Sequence, residues 1–408
     1  MKIGQKWFTC TPYRFPGDQS FFNRESGLLC KGFQEIGVDS KAVMPGPAVE
    51  NDQANDLIRT DYKNLEDADW WRQFNLDGVV LYAWGLPKYT AIARAINQAG
   101  VFLISSIDAS GLYSPYAGGL EYARLTIQNR ISNYGWMAGP LIAAASIARS
   151  LFPNLYDKRR LEHLSHADKV TMVTPQAVEI MKLLAQKFGF PGVAINTKYV
   201  PHPQLPTYTY DGTPKENLIV TVGRWDRKSW FQKNPQLLLN SLERFLESRS
   251  DYHSIIVGSS VGELAPLLNK ISQNAAARIT LIPFLSPDDL RDAYRRSKIG
   301  FWTSRHEGQQ GTGAQALCCG CSVVSTTGIA MSCFAHYASR GSGRQSIRNN
   351  AWLLADALKM EANAWDEGDR DPLVISNRWV KEFHHAYIAR RLLELAEKTP
   401  NSIIASNP

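Results

Sequence analysis

Leu218-Ile219-Val220-Thr221-Val222-Gly223-Arg224, followed nine positions on by Lys233-Asn234-Pro235, is the stretch on which the reading of this chain turns. Five aliphatic and β-branched residues in a row read as a buried strand, and Gly223 ends it. A helix is expected from Pro235 to Glu247, so an arginine sits at a strand's carboxyl end and a lysine at a helix start. In a doubly wound domain both positions face the crevice where such folds take ligands. Arginine can hold two phosphate oxygens at once and lysine adds a point charge, which suits a diphosphate. Taken alone, the two residues fit a pair of solvated surface cations equally well.

A second stretch, Phe301-Trp302-Thr303-Ser304-Arg305-His306-Glu307-Gly308-Gln309-Gln310-Gly311-Thr312-Gly313, runs from a strand through a polar, glycine-containing loop into a helix. Unpaired N–H groups at a helix start favour an anion, and glycines let a ligand approach the backbone closely. Glu307, at the corner, is placed to accept hydrogen bonds from sugar hydroxyls. Gln315, eight positions later, can face the same crevice.

Outward from these stretches the chain alternates strands with helices, the mark of parallel sheets covered on both faces. In the first half a helix is expected over Asn23–Ile36, then strands at Ser40–Met44, Gly78–Tyr82, Val101–Ser105 and Lys169–Val173. In the second, strands are expected at Leu218–Val222, Ser254–Val257, Arg278–Ile282, Ile299–Trp302 and Ser322–Ser325. The proline-rich run from Val200 to Pro214 separates the halves. The expected organisation is therefore an α/β protein of two Rossmann-like doubly wound domains flanking a deep cleft. The first domain spans 1–200, a hinge spans 201–214 and the second domain spans 215–377. One amphipathic helix, Arg378–Lys398, ends the pattern.

The chain has 408 residues, 44% hydrophobic and 20% charged, with a formal net charge of +7. That balance favours anionic partners without choosing among phosphates, lipids and nucleic acid; no aromatic-basic repeat points to nucleic acid. No N-terminal secretory pattern and no apolar run long enough to span a bilayer is present, so a cytoplasmic location is expected. The six cysteines include Cys318, Cys319 and Cys321, whose spacing fits buried reduced thiols better than a zinc site. Asp67-Ala68-Asp69 and Asp369-Arg370-Asp371 follow no strand and read as a solvated loop or helix face, not as metal motifs.

With these residues in view, the chain resembles the retaining GT-B glycosyltransferases of family 4, also called glycosyl transferases group 1. The resemblance rests on Val222-Gly223-Arg224, Lys233-Asn234-Pro235, Ile255-Ile256-Val257-Gly258 and Ser304-Arg305-His306-Glu307-Gly308. It continues through Ala316-Leu317-Cys318-Cys319-Gly320-Cys321-Ser322-Val323-Val324. It implies that Arg224 and Lys233 hold the diphosphate of a UDP- or GDP-sugar. It further implies that Glu307 contacts the transferred sugar, and that Gly223 and the backbone from Gly308 through Gln309 and Gln310 to Gly311 line sugar and phosphates. Gln315 stands where the family's second glutamate binds the ribose, a departure that loses a charge-assisted bond. Pro201-His202-Pro203 also departs from the family's Pro-Asn-Gly. Gly17 resembles the glycine of an acceptor loop, and the closing helix would pack back on the first domain.

The implied reaction moves a sugar with retention and needs neither metal nor further cofactor. Stabilising charge on the departing diphosphate is its main physical demand. On the acceptor side Asp108, at the end of a strand, is a candidate catalytic or acceptor-binding residue, with a turn cap as the equal alternative. The acceptor is a glycan, a lipid-linked sugar or a small molecule. The segment Trp136–Arg160 joins an apolar run to Arg149, Lys158, Arg159 and Arg160. It fits peripheral contact with an anionic membrane or a buried helix with a basic end. A sugar-nucleotide epimerase of the same fold and a non-catalytic sugar-nucleotide-binding protein are the alternative functions; the oligomeric state is not legible.

Overall fold

The computed structural model describes residues 5–14, 21–50, 52, 56–109, 114–339 and 341–397. The described chain forms two compact units. The first draws on residues within 1–108, 153–205 and 382–408, the second on 109–152 and 206–381.

The first unit is built on a seven-stranded parallel sheet. Its strands are β1 (Trp7–Cys10), β2 (Ala42–Pro45), β3 (Leu57–Thr60), β4 (Gly78–Leu81), β5 (Phe102–Ile107), β6 (Lys169–Met172) and β7 (Thr197–Tyr199). They lie in the order β3-β2-β1-β4-β5-β6-β7, which reverses between β1 and β4. Side chains alternate faces along each strand. Phe8, Cys10, Val79 and Leu81 pack on one side with Trp71, Ile92 and Ile96. Trp7, Val80 and Ile104 pack on the other with Leu29, Phe33 and Ile388. Gly78 stands beside Trp7 in the register, and a Cβ there would lie 2.5 Å from the indole ring.

The closing helix corrects the sequence reading. Instead of one helix over 378–398 there are two, Pro372–Phe383 and His385–Glu397. The Phe383 carbonyl is taken by the Gln204 amide at 2.7 Å, and Gln204 forms an isolated bridge with His384. That bond diverts the helical ladder, and His384 restarts it by accepting from the Ile388 amide at 3.1 Å. The second helix packs on the helix Glu25–Glu35 through a close crossing: a Cβ on Gly32 would lie 2.6 Å from the His385 carbonyl oxygen.

The second unit carries a six-stranded parallel sheet. Its strands are β8 (Glu216–Val222), β9 (His253–Val257), β10 (Ile279–Ile282), β11 (Ser297–Trp302), β12 (Ser322–Ser325) and β13 (Gly343–Gln345). Their order is β10-β9-β8-β11-β12-β13, reversing between β8 and β11. All six cysteines are free and buried. Cys321 donates from Sγ to the Tyr294 carbonyl at 2.9 Å, beside the buried Lys215 ammonium, which donates to the carbonyls of Tyr294, Ser297 and Cys319. The aspartates of the two Asp-x-Asp segments act at helix starts: Asp67 accepts from the Asp69 amide, and Asp371 from those of Leu373 and Val374.

Residues 109–152, which the sequence reading gives to the first domain, group with the second unit. They hold the helix Pro115–Leu151, broken by non-helical glycines at 119 and 135 into two antiparallel arms. The arms touch closely enough that a Cβ on Gly139 would lie 2.6 Å from the Ile131 Cα, and Tyr122 and Ser150 hydroxyls meet at 2.8 Å. Of the two readings of this segment, the buried helix is not what forms: it is an exposed hairpin, with the apolar run from Trp136 forming its second arm. Of the basic end, Arg160 is buried and stacks on Tyr156 in the first unit. Among the described residues no helix is long and apolar enough to cross a membrane.

Candidate functional site

In an open parallel sheet the crevice lies beyond the carboxyl ends of the two strands where the order reverses. In the second unit those strands are β8 and β11, and both stretches singled out above follow them directly. Two tryptophans and a glycine pin the strand ends together. Trp302 donates its indole N–H to the Val222 carbonyl at 3.1 Å, and Trp225 donates to the Val257 carbonyl at 3.0 Å. Gly258 has φ of +140°, and a Cβ on it would lie 1.8 Å from the Gly223 carbonyl oxygen, so only glycine fits.

From Gly223 the chain passes Arg224 and turns at Asp226, which accepts from the Ser229 amide and hydroxyl. These bonds, then the Lys228 amide and the Arg224 charge, hold the Asp226 carboxyl below its usual range. The short helix Trp230–Lys233 follows, stopped by Asn234 in the left-handed region at φ 53° and ψ 57°, a conformation asparagine tolerates better than most residues. Pro235 then opens the next helix, Pro235–Ser248. Thr303, just past β11, donates to the carbonyls of Lys233 and Asn234 at 3.1 and 3.2 Å. The lysine is thereby fixed at both backbone and side chain.

Lys233 and Glu307 form a buried ion pair. They are 8% and 6% exposed, and Nζ lies 2.6 Å from Oε1. Gln232 donates its side-chain amide to Glu307 Oε2 and to the His306 carbonyl, both at 3.1 Å. Gln310 donates to Glu307 Oε1 at 3.4 Å. The Glu307 amide reaches the Ala330 carbonyl at 2.9 Å, and the Arg305 amide reaches the Gln232 carbonyl at 2.8 Å. The sequence reading treats Lys233 as a free cation beside Arg224. It is instead bound to the carboxylate, because a lysine this buried needs a partner to offset its lost hydration. With Glu307 its one side-chain partner among the described residues, two of its three N–H donors remain for a ligand.

Next to this pair the helix Gly311–Cys318 begins without a side-chain cap. The Gly313 and Ala314 amides turn back to the Gln310 carbonyl. The amides of Gly311 and Thr312 have no partner among the described residues. Open helix-start amides carry partial positive charge. Gly313 packs so tightly on Phe334 and Tyr337 that a Cβ would lie 3.2–3.3 Å from their rings. Gly308 and Gln309 are half-buried in the loop, and Gln315 is half-buried on the helix. Arg224 is exposed, with no hydrogen-bond partner among the described residues. Burial pushes His306 below the ordinary histidine value against the pull of Glu307, and Lys233 and Arg305 lower it further.

The structure therefore brings Gly223, Lys233, Glu307, Gly308, Gln310 and Gly311 to one crevice end, with Arg224 on its solvent side. Asp108 belongs to the first unit, where it follows β5, is exposed and acts electrostatically on Tyr13. Gly17 lies outside the described residues. His202 is buried, its Nε2 at 3.3 Å from the Ser106 hydroxyl. Gln232 and the Ala330 carbonyl are the participants that sequence reasoning misses. Adjacency to Lys233 is the one signal for Gln232.

Two doubly wound parallel sheets of this kind define the GT-B α/β fold. Residues 216–354 match the family model described as glycosyl transferases group 1. Solved structures with the same fold include Anabaena HepE in complex with UDP, at a TM-score of 0.62 and 12% identity over 97% of this chain and 100% of that one. A glycosyltransferase from Rickettsia africae aligns at 0.61 and 13%, covering 98% and 100%. The α,α-trehalose 6-phosphate synthase of Burkholderia multivorans aligns at 0.61 and 12%, covering 96% and 98%. No curated protein matches the chain by sequence.

Proposed function

We propose that this protein is a glycosyltransferase that takes a sugar from a UDP- or GDP-sugar and passes it to an acceptor with retention of configuration. The carrying observation is the buried Lys233–Glu307 pair beside the uncapped start of the helix Gly311–Cys318, at the strand-order reversal of the second sheet. Arg224 and the remaining donors of Lys233 take the diphosphate, joined by the amides of Gly308 to Thr312. Glu307, held by Lys233, Gln232 and Gln310, orients Lys233 and offers its remaining lone pairs to the sugar hydroxyls. Gln315 reaches the ribose. Lys233, Glu307 and the helix-start amides are fixed before the donor arrives, so they stabilise charge growing on the leaving diphosphate without reorganising. Asp108, from the first unit, serves the acceptor. No metal or other cofactor enters this scheme. The HepE structures with UDP and with UDP-glucose support a nucleotide-sugar ligand for this fold.

A thermal-shift screen of UDP- and GDP-sugars tests the reading. A donor present at about a hundred times its Kd adds about 2.7 kcal/mol to stability and raises the melting point by several degrees. Stabilisation by one nucleotide sugar, with transfer of its sugar to an acceptor on product analysis, is the expected result. Release of an isomerised sugar would favour the epimerase. No shift with any nucleotide sugar would overturn the proposal.

A further inference from the structure

The hairpin of the second unit ends in an apolar tip that nothing among the described residues covers. Every residue from Ser132 to Ala138 is exposed. At and beside the turn, Tyr134 is 52% exposed, Trp136 81%, Met137 92% and Leu141 74%. Gly135, at φ 76°, makes the turn that presents them. Behind the tip an open groove of about 390 Å³ is lined by Ile127, Pro140, Ala144, Ile147, Ala148 and Leu151, all apolar. Large exposed apolar patches mark interaction sites.

Charge selects the partner. Between Tyr122 and Tyr156 the sequence holds Arg124, Arg130 and Arg149 and no aspartate or glutamate. Arg124 and Arg149 are exposed, and Arg130 lies over the Tyr134 ring at 5.9 Å. A second copy on this surface would set arginines against arginines with no carboxylate between them. An anionic bilayer complements it: Trp and Tyr favour the headgroup level, Met and Leu enter the acyl boundary, and each arginine gains from the surface potential. Among the described residues no helix is long and apolar enough to cross a membrane, and a short tip with Trp, Tyr, Met and Leu beside arginines suits the interface.

The root of the hairpin meets the candidate site. Glu121 lies against Gly328, where a Cβ would sit 2.7 Å from the Glu121 carboxylate, two residues before Ala330, whose carbonyl holds the Glu307 amide. The Arg124 charge acts on Arg305. From Glu121 to the tip is about 20 Å at a helical rise of 1.5 Å per residue. We infer that the hairpin tip, Tyr134 to Leu141, docks on an anionic lipid bilayer and so seats the second unit's crevice a fixed, short distance from the membrane surface. If the crevice holds a sugar donor as proposed, this placement suits an acceptor carried on a lipid.

Flotation of the full chain with vesicles tests this. Phosphatidylcholine vesicles containing phosphatidylglycerol should carry the wild-type protein, more weakly as salt rises. Phosphatidylcholine alone should carry much less. The double variant Trp136→Ser, Met137→Ser should lose at least about tenfold in binding, and Arg130→Gln or Arg149→Gln about fivefold each. These residues are not core, so thermal unfolding should be unchanged and serves as the folding control. No binding by the wild type, or equal binding by wild type and the double serine variant, would overturn the inference. So would self-association abolished by the serine variant without vesicle binding, which would assign the tip to a second copy. Nucleotide-sugar stabilisation of the same preparations is read separately: its absence with vesicle binding intact removes the donor reading and leaves the docking.

Discussion

The same sheet topology is furnished in opposite ways in the two units. At the reversal between β1 and β4, the first unit places rings. Tyr13 stacks on Trp84 with centroids 4.6 Å apart and planes 27° apart, and Tyr82 meets His202 edge-on at 5.5 Å. Trp84 itself sits in the left-handed region at φ 49°, where a bulky side chain is strained. A small cleft there is lined by Thr11, Tyr13, Arg24, Glu25, Tyr82 and Trp84. At the reversal between β8 and β11, the second unit places a buried ion pair, open amides and an exposed arginine. The topology supplies a crevice in each. The side chains furnish the first with stacked rings and the second with an ion pair, open amides and an arginine.

Breaking the ion pair tests that contrast with the largest expected effect. Glu307→Ala leaves a buried lysine unpartnered and should cost about 3–5 kcal/mol of stability. Replacing both partners by apolar residues of similar size, Lys233→Met with Glu307→Leu, should recover most of that stability while nucleotide binding stays lost. Denaturant titration of the three proteins reads both results. A cost below about 1 kcal/mol for the single variant would mean the pair behaves as a surface bridge.

A somewhat smaller effect belongs to the first unit, whose stability should respond to acid. Burial, aided by His166 and Arg160, lowers His163 from 6.5 to about 4. The unfolded chain therefore takes up this proton before the folded one does. The stability tied to neutral His163 is whole above about pH 6.5 and falls as the pH drops towards 4, by about 3 kcal/mol in all. Melting curves across that window should show the loss, and His163→Gln should flatten it.

Most interior strands were legible as short apolar runs bounded by glycine, proline or charge, but β1, central in the first sheet, is not among the strands expected from the sequence. Of the four edge strands β10 was legible, while β3, β7 and β13 were not. Gly343-Arg344-Gln345 has no apolar residue at all and becomes β13 only by pairing with β12; β3 and β7 are short and mixed for the same reason. The break at His384 left no trace either, since the amphipathic stripe runs on across it and the bond that causes it comes from Gln204. In the site, Lys233 and Glu307 stood out by residue type and position. Their mutual contact did not, because it joins residues 74 apart in sequence. Gln232 stayed hidden for that reason: its partners arrive only when β11 lies beside β8. The hairpin's exposure is likewise a tertiary fact, as the same apolar sequence fits a buried helix.

The smallest stability effect goes with the most direct test. Arg224→Ala, at an exposed position, should change the unfolding free energy by no more than about 0.5 kcal/mol. Calorimetric titration of this variant and of wild type with UDP, GDP and the corresponding nucleosides isolates the diphosphate. The account predicts that a nucleoside diphosphate binds wild type, that its nucleoside binds at least about tenfold more weakly, and that Arg224→Ala loses about tenfold or more for the diphosphate alone. Equal affinity for nucleoside and nucleoside diphosphate, or a diphosphate affinity indifferent to Arg224, would contradict it.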